Sequence, residues 1–151
     1  MQMQFGFQKT ALLFAVAGLA ACGADDENPP PAVTQVSYQS LDPVKPLTIP
    51  ATLRVPFAGP GIPAVVIVHG SNGIDSRGPS YATELNKAGI ATLEIDMWAP
   101  RGVVGAANRP RGVPETLPDA YGAFKYLASL PGIDAKRIGI MGFSWVAWCR
   151  C

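Results

Sequence analysis

Ile138-Gly139-Ile140-Met141-Gly142-Phe143-Ser144-Trp145 runs a short apolar strand into Gly-x-Ser. Serine is a weak nucleophile and must be presented both to a base and to a carbonyl carbon. A tight turn from strand to helix does this by lifting Oγ to the top of a sheet. Glycines at the turn remove Cβ atoms that would clash there, and the helix that follows points its N-terminus at a developing oxyanion. A bare Gly-x-Ser is common and carries little information. The apolar strand in front of it makes Ser144 a candidate catalytic residue.

Working outward, the flanking sequence supplies the rest of a sheet. Pro118 to Leu130 reads as a helix, with Ala120, Phe124, Leu127 and Leu130 at near-helical spacing and Pro131-Gly132 as its stop. Ile90 to Ile95 is a strand. Tyr81 to Ala88 is helical in character, with Gly89 where a C-terminal cap belongs. Ala64 to Val68 is a continuous apolar run rich in β-branched residues, the pattern of a strand buried on both faces. Thr48 to Val55 and Val33 to Tyr38 read as two further strands; Pro50 restricts the former to an edge or an end. Ile138 to Met141 reads as a short buried strand. Strands alternating with helices predict an α/β fold, a mostly parallel sheet flanked by helices.

Composition agrees. Of 151 residues, 48% are hydrophobic and 15% charged, which suits one globular domain with a core. A formal net charge of +1 without a basic patch argues against nucleic acid as a partner. Three cysteines, Cys22, Cys149 and Cys151, make a poor disulfide framework, and with a single histidine they make a poor metal site. No metal or other cofactor is expected.

The run Val65 to Val68 leads into His69-Gly70-Ser71-Asn72-Gly73. A His-Gly turn after a strand, upstream of the serine turn, is the arrangement of α/β-hydrolases. The segment from Asp119 to Trp145, together with Asp96-Met-Trp-Ala-Pro-Arg-Gly102, resembles the dienelactone hydrolase family. The similarity covers roughly Ala64 to Trp145, with several motifs in the right order. It implies the N-terminal part of an α/β-hydrolase fold acting on small-molecule esters or lactones. Ser144 would be the nucleophile, marking serine-bearing relatives in a family that often uses cysteine. The backbone N–H groups of Ser71 and Trp145 would form the oxyanion hole.

Other residues read more plainly. His69 shapes the turn and is not the base, because the triad of this fold runs serine, acid, histidine along the chain. Asp96 and Asp134 precede Ser144 and read as turn residues. Arg101 has the charge to meet an acidic substrate, but its place in a loop reads as an exposed arginine. Trp98 and Trp145 line a pocket or simply pack.

The N-terminus reads as an export signal. Lys9 precedes an apolar run from Thr10 to Ala21 that is short of the roughly 20 residues a spanning helix needs. Leu19-Ala20-Ala21-Cys22 resembles a bacterial lipoprotein cleavage site, which would make Cys22 the lipidated first residue of a membrane-anchored, exported protein; the plainer alternative is an ordinary signal peptide with a chance cysteine. Residues 22–32, polar and Pro-rich, read as a tether, and 33–145 as the partial hydrolase domain.

The pattern breaks after Trp145. The resemblance calls for Gly-Gly, but the chain reads Val146-Ala-Trp-Cys-Arg-Cys151, and no Asp, Glu or His follows Ser144. One extra G ahead of the valine codon lets the same codons spell Gly-Gly-Val-Val-Ser. Residues 146–151 are therefore expected to be an out-of-frame tail, on a chain that is truncated, inactive and poorly soluble. A non-catalytic lipoprotein binding module, or a decayed gene fragment, is the alternative of a different class; an esterase or acyl-peptidase of the same fold is the nearer one.

Overall fold

A computed structural model of the chain describes residues 29–57 and 59–144. Among these residues five strands form one sheet: β1 (Ala32–Gln39), β2 (Thr48–Val55), β3 (Ile62–Val68), β4 (Ala91–Ile95) and β5 (Ile133–Gly142), in spatial order β1-β2-β4-β3-β5. The sheet is mixed. The connection from β1 to β2 is too short for a parallel crossover, so these strands pair antiparallel, and β2 pairs antiparallel with β4. Between β3 and β4, and between β4 and β5, the chain is long enough to carry helices α1 (Arg77–Lys87) and α2 (Leu117–Ser129). Parallel pairing is found accordingly across β4-β3-β5.

The two helices cover opposite faces. Ala123 and Leu127 of α2 join Tyr38, Ile49, Leu53, Val66, Leu93 and Ile95 in the core. On the other face α1 lies against β4, where a Cβ on Gly78 would come within 1.9 Å of Glu94 Oε1. Glu94 is buried and paired with Arg54 at 3.3 Å. Burial raises its carboxyl above the usual range, against the pull of Arg54.

Several boundaries differ from the sequence reading. Helix α1 begins at Arg77, four residues before Tyr81, because Pro79 falls in the first turn, where no N–H is needed. Its end is as read: Gly89 has φ +76°, its N–H bonds to Asn86 O, and Ile90 N–H bonds to Leu85 O. Strand β2 is interior, not an edge. Pro50 is tolerated because the β2–β4 ladder starts at Ala51, so its missing donor falls beyond the ladder. Strand β5 is longer than expected and is not buried: it has a partner on one side only among the described residues, and Ile140 is 48% exposed. The export segment, Cys22, Trp145 and residues 146–151 lie outside the described residues.

Candidate active site

The three parallel strands end together. Val68 of β3 is in register with Ile95 of β4 and with Gly142 of β5. The loops carrying His69, Asp96 and Ser144 therefore leave from the carboxyl ends of the parallel strands, where open α/β sheets place their ligands.

Ser144 stands just past β5, exposed, with φ +50°. This left-handed backbone is uncommon for a residue with a Cβ. The turn is tied to β3 by the Phe143 N–H, which donates to Val68 O at 3.2 Å. It also packs against α1: the Phe143 ring lies 5.5 Å from that of Tyr81, and the Arg77 guanidinium sits 5.0 Å over it. Arg77 also holds Asp75 at 2.6 Å, which lowers that carboxyl to about 2.

Gly70 brings the second loop beside the serine. A Cβ there would lie 3.2 Å from Phe143 O and 3.7 Å from Ser144 Cβ, so a side chain would press the serine turn back by a few tenths of an ångström, which the bare glycine avoids. Residues 70–73 close a turn in which Gly73 N–H donates to Gly70 O at 3.1 Å. The indole N–H of Trp98 donates to Ser71 O at 3.0 Å, and the same ring lies 3.3 Å from where a Cβ on Gly73 would be.

His69 is buried behind this turn. Its Nε2 accepts the Met97 backbone N–H at 3.1 Å, and its Nδ1 lies 2.8 Å from Gly70 O. An Nε2 that accepts must carry a lone pair, which leaves the proton on Nδ1, where it donates to Gly70 O. Burial holds the imidazole below its ordinary pKa, so it is neutral at pH 7. With both ring nitrogens engaged, His69 has no lone pair to take a proton from Ser144. It shapes the turn, as the sequence predicted.

Asp96 caps its own loop by accepting from Trp98 and Ala99 N–H, as read. Asp134, read as a turn residue, instead lies at the start of β5, where it accepts from Lys136 N–H and pairs with Arg137. Arg101 departs from its reading. It is not an exposed loop cation: Nη1 bonds Asp119 Oδ2 at 2.7 Å and Met97 O at 2.8 Å. Asp119 is fully buried on α2, and burial raises its carboxyl despite the adjacent guanidinium. The sequence held no local signal for this pair, because an acid in a first helical turn ordinarily reads as a dipole partner. Among the described residues no group of three or more His, Cys, Asp or Glu side chains is placed to share a metal ion. Likewise no helix among them is long and apolar enough to cross a membrane.

No protein-family model matches the chain. A Bradyrhizobium sp. protein named "Probable 2-oxo-3-(5-oxofuran-2-ylidene)propanoate lactonase" is 29% identical over 101 residues, covering 62% of this chain and 41% of that protein. The chain thus spans about two fifths of the length of this curated relative. Among solved structures, the α/β-hydrolase GrgF from Penicillium sp. sh18 superposes with a TM-score of 0.59 at 23% identity, over 74% of this chain and 37% of that one. A dienelactone hydrolase-like promiscuous phosphotriesterase from metagenomic libraries gives 0.55 at 22% identity, over 74% and 49%. Est1E from Butyrivibrio proteoclasticus, with ferulic acid bound, gives 0.56 at 24% identity, over 72% and 43%. These likenesses establish the fold: the described residues have part of the α/β-hydrolase architecture.

Proposed function

We propose that this chain is the nucleophile-bearing part of a hydrolase of carboxylic ester or lactone bonds, with Ser144 as the nucleophile. The observation that carries the reading is the left-handed backbone of Ser144 at the end of a parallel strand, with bare Gly70 beside it. Backbone strain of this kind is tolerated where a side chain must be presented. The lactonase named among the relatives supports a lactone or ester as substrate.

Ser144 Oγ attacks the carbonyl carbon and passes its proton to a base. The N–H groups of Ser71 and Trp145 hold the oxyanion, the alcohol departs, and water releases the acyl group. His69 is committed elsewhere, and no acid or histidine follows Ser144 in the 151 residues. A serine without its base loses most of its catalysis, so the 151-residue polypeptide is inactive by itself. In this proposal residues 146–151 are out of frame, and the base and acid are encoded in the shifted frame. Resequencing the G-rich stretch after the Trp145 codon tests this. Gly-Gly is expected there, with an Asp and a His in frame downstream. An intact frame with no such continuation sinks it and favours a non-catalytic role.

We further propose that the chain is exported and anchored in a bacterial envelope through lipid on Cys22. Each buried CH₂ of an acyl chain adds about 0.8 kcal/mol, so several chains hold firmly. Radiolabelled palmitate should enter the wild-type protein but not Cys22→Ser; equal labelling of both contradicts the anchor.

A further inference from the structure

The Arg101–Asp119 pair belongs to none of the proposed catalytic steps, yet it is one of the most enclosed ion pairs of the described residues, with side chains 17% and 1% exposed. Arg101 makes its bonds in three directions. It holds Asp119 on α2, it donates from Nη2 to Glu115 O at 3.2 Å, and it donates to Met97 O at 2.8 Å. Together these bonds fasten the loop after β4 onto α2.

Met97 is the link to the site. Its carbonyl is held by Arg101, while its N–H donates to His69 Nε2 at 3.1 Å. That bond keeps the ring proton on Nδ1, because the bond made at one ring nitrogen decides which nitrogen is protonated. Nδ1–H in turn holds Gly70 O at 2.8 Å. In a planar trans peptide the carbonyl of one residue and the N–H of the next point in opposite directions. Fixing the Gly70 carbonyl therefore fixes where the Ser71 N–H points.

We propose that Arg101 and Asp119 are positioning residues that set the direction of the Ser71 N–H through the Met97 peptide and the Nδ1–H tautomer of His69. The role of that N–H as an oxyanion donor rests on the function proposed above; the coupling itself does not. Trp98 reinforces it from the same loop by donating to Ser71 O, so movement of the loop would disturb the turn at two points.

The chain has one histidine, so both ring-nitrogen signals belong to His69, and their couplings to the ring C–H protons tell Nδ1 from Nε2. In the full chain labelled with 15N-histidine, the wild type should show a protonated Nδ1 and an unprotonated Nε2 at pH 7. Arg101→Lys keeps a charge opposite Asp119 but cannot reach Asp119, Glu115 O and Met97 O together. It should shift His69 toward the Nε2–H form or to an average of the two, and Asp119→Asn should do so more weakly. A wild-type His69 in the Nε2–H form overturns the proposal. So does a wild-type tautomer that persists in both variants when they are folded. Loss of folding in both variants also counts against it, since the pair would then govern the fold and not the turn. The tautomer is read without substrate, so failure here leaves the hydrolase reading standing, and an unreactive Ser144 leaves the tautomer result standing.

Discussion

At the scale of single residues, Ser144 combines a functional group with an unfavourable backbone. The left-handed region costs an L-residue about 1–2 kcal/mol, and glycine escapes most of it. Ser144→Gly should therefore be more stable than Ser144→Ala by about 1 kcal/mol in urea denaturation, after allowing for the greater freedom of unfolded glycine. Equal stabilities would show that the turn stores no strain. His69 gives a second expectation. Its folded pKa is lowered by burial, so its contribution is complete above the unfolded value, near 6.5, and is lost as the pH falls through the folded value. Stability should decline between pH 7 and pH 5, no more steeply than about 1.4 kcal/mol per pH unit for one proton. Denaturation midpoints of wild type and His69→Asn across this range check it, and parallel curves would deny His69 the effect. The sequence already showed Gly-x-Ser and the His-Gly turn, because both are local. The partners of His69 could not be read there: Met97 lies 28 residues away and meets the ring only through the parallel pairing of β3 and β4. Arg101 was misread for the same reason, since a loop position says nothing about a buried acid on a later helix.

At the scale of elements, the helices sit where two glycines let them. Gly122 in α2 faces the end of β1, where a Cβ would lie 2.7 Å from Gln39 O and 3.2 Å from Ser40 Cα. Alanine would gain about 1 kcal/mol in helix propensity. It would also push the helix off a backbone oxygen that cannot rotate away, and overpacking of this sort costs about 1–3 kcal/mol. We expect the clash to win, so Gly122→Ala should lower the melting temperature; an increase would mean that α2 can shift freely. Gly78→Ala is comparable on the other face, because the clashing Glu94 is held by Arg54. It should destabilise by about 1–3 kcal/mol, and less in a Glu94→Ala background. A penalty of the same size in both backgrounds would remove Glu94 from the explanation. The existence of these helices was legible from apolar spacing and a glycine stop. The start of α1 was not, because Gly and Pro ordinarily interrupt a helix, and here Gly78 and Pro79 fall in its first turn, where no N–H is needed. The interior place of β2 was hidden by Pro50, whose missing donor matters only once the ladder's end is fixed.

At the scale of the whole molecule, strand register brings three loops to the carboxyl ends of the parallel strands, and β5 forms the outer side of that group. Among the described residues its outer flank has no partner strand, and Ile140 is 48% exposed, beside an apolar cleft of about 390 Å³ lined by Val68, Phe124, Met141 and Gly142 among others. An unpaired strand edge with apolar side chains invites pairing with another chain. The 151-residue polypeptide should therefore associate as its concentration rises in sedimentation velocity, and Ile140→Lys should reduce this. Monomers throughout, in both proteins, would contradict that expectation. The exposure of β5 was not visible in its apolar sequence, which reads the same for a central strand as for an edge one. Ser144, as proposed above, is a nucleophile whose base is encoded in the shifted frame. The most direct test is to treat the 151-residue polypeptide, and the chain read through in the shifted frame, with a fluorophosphonate and to weigh both intact. No rapid adduct is expected on the former, and one adduct on the latter, at Ser144 and abolished by Ser144→Ala. Rapid labelling of Ser144 in the 151-residue polypeptide, or a read-through chain that stays unlabelled there, would contradict it.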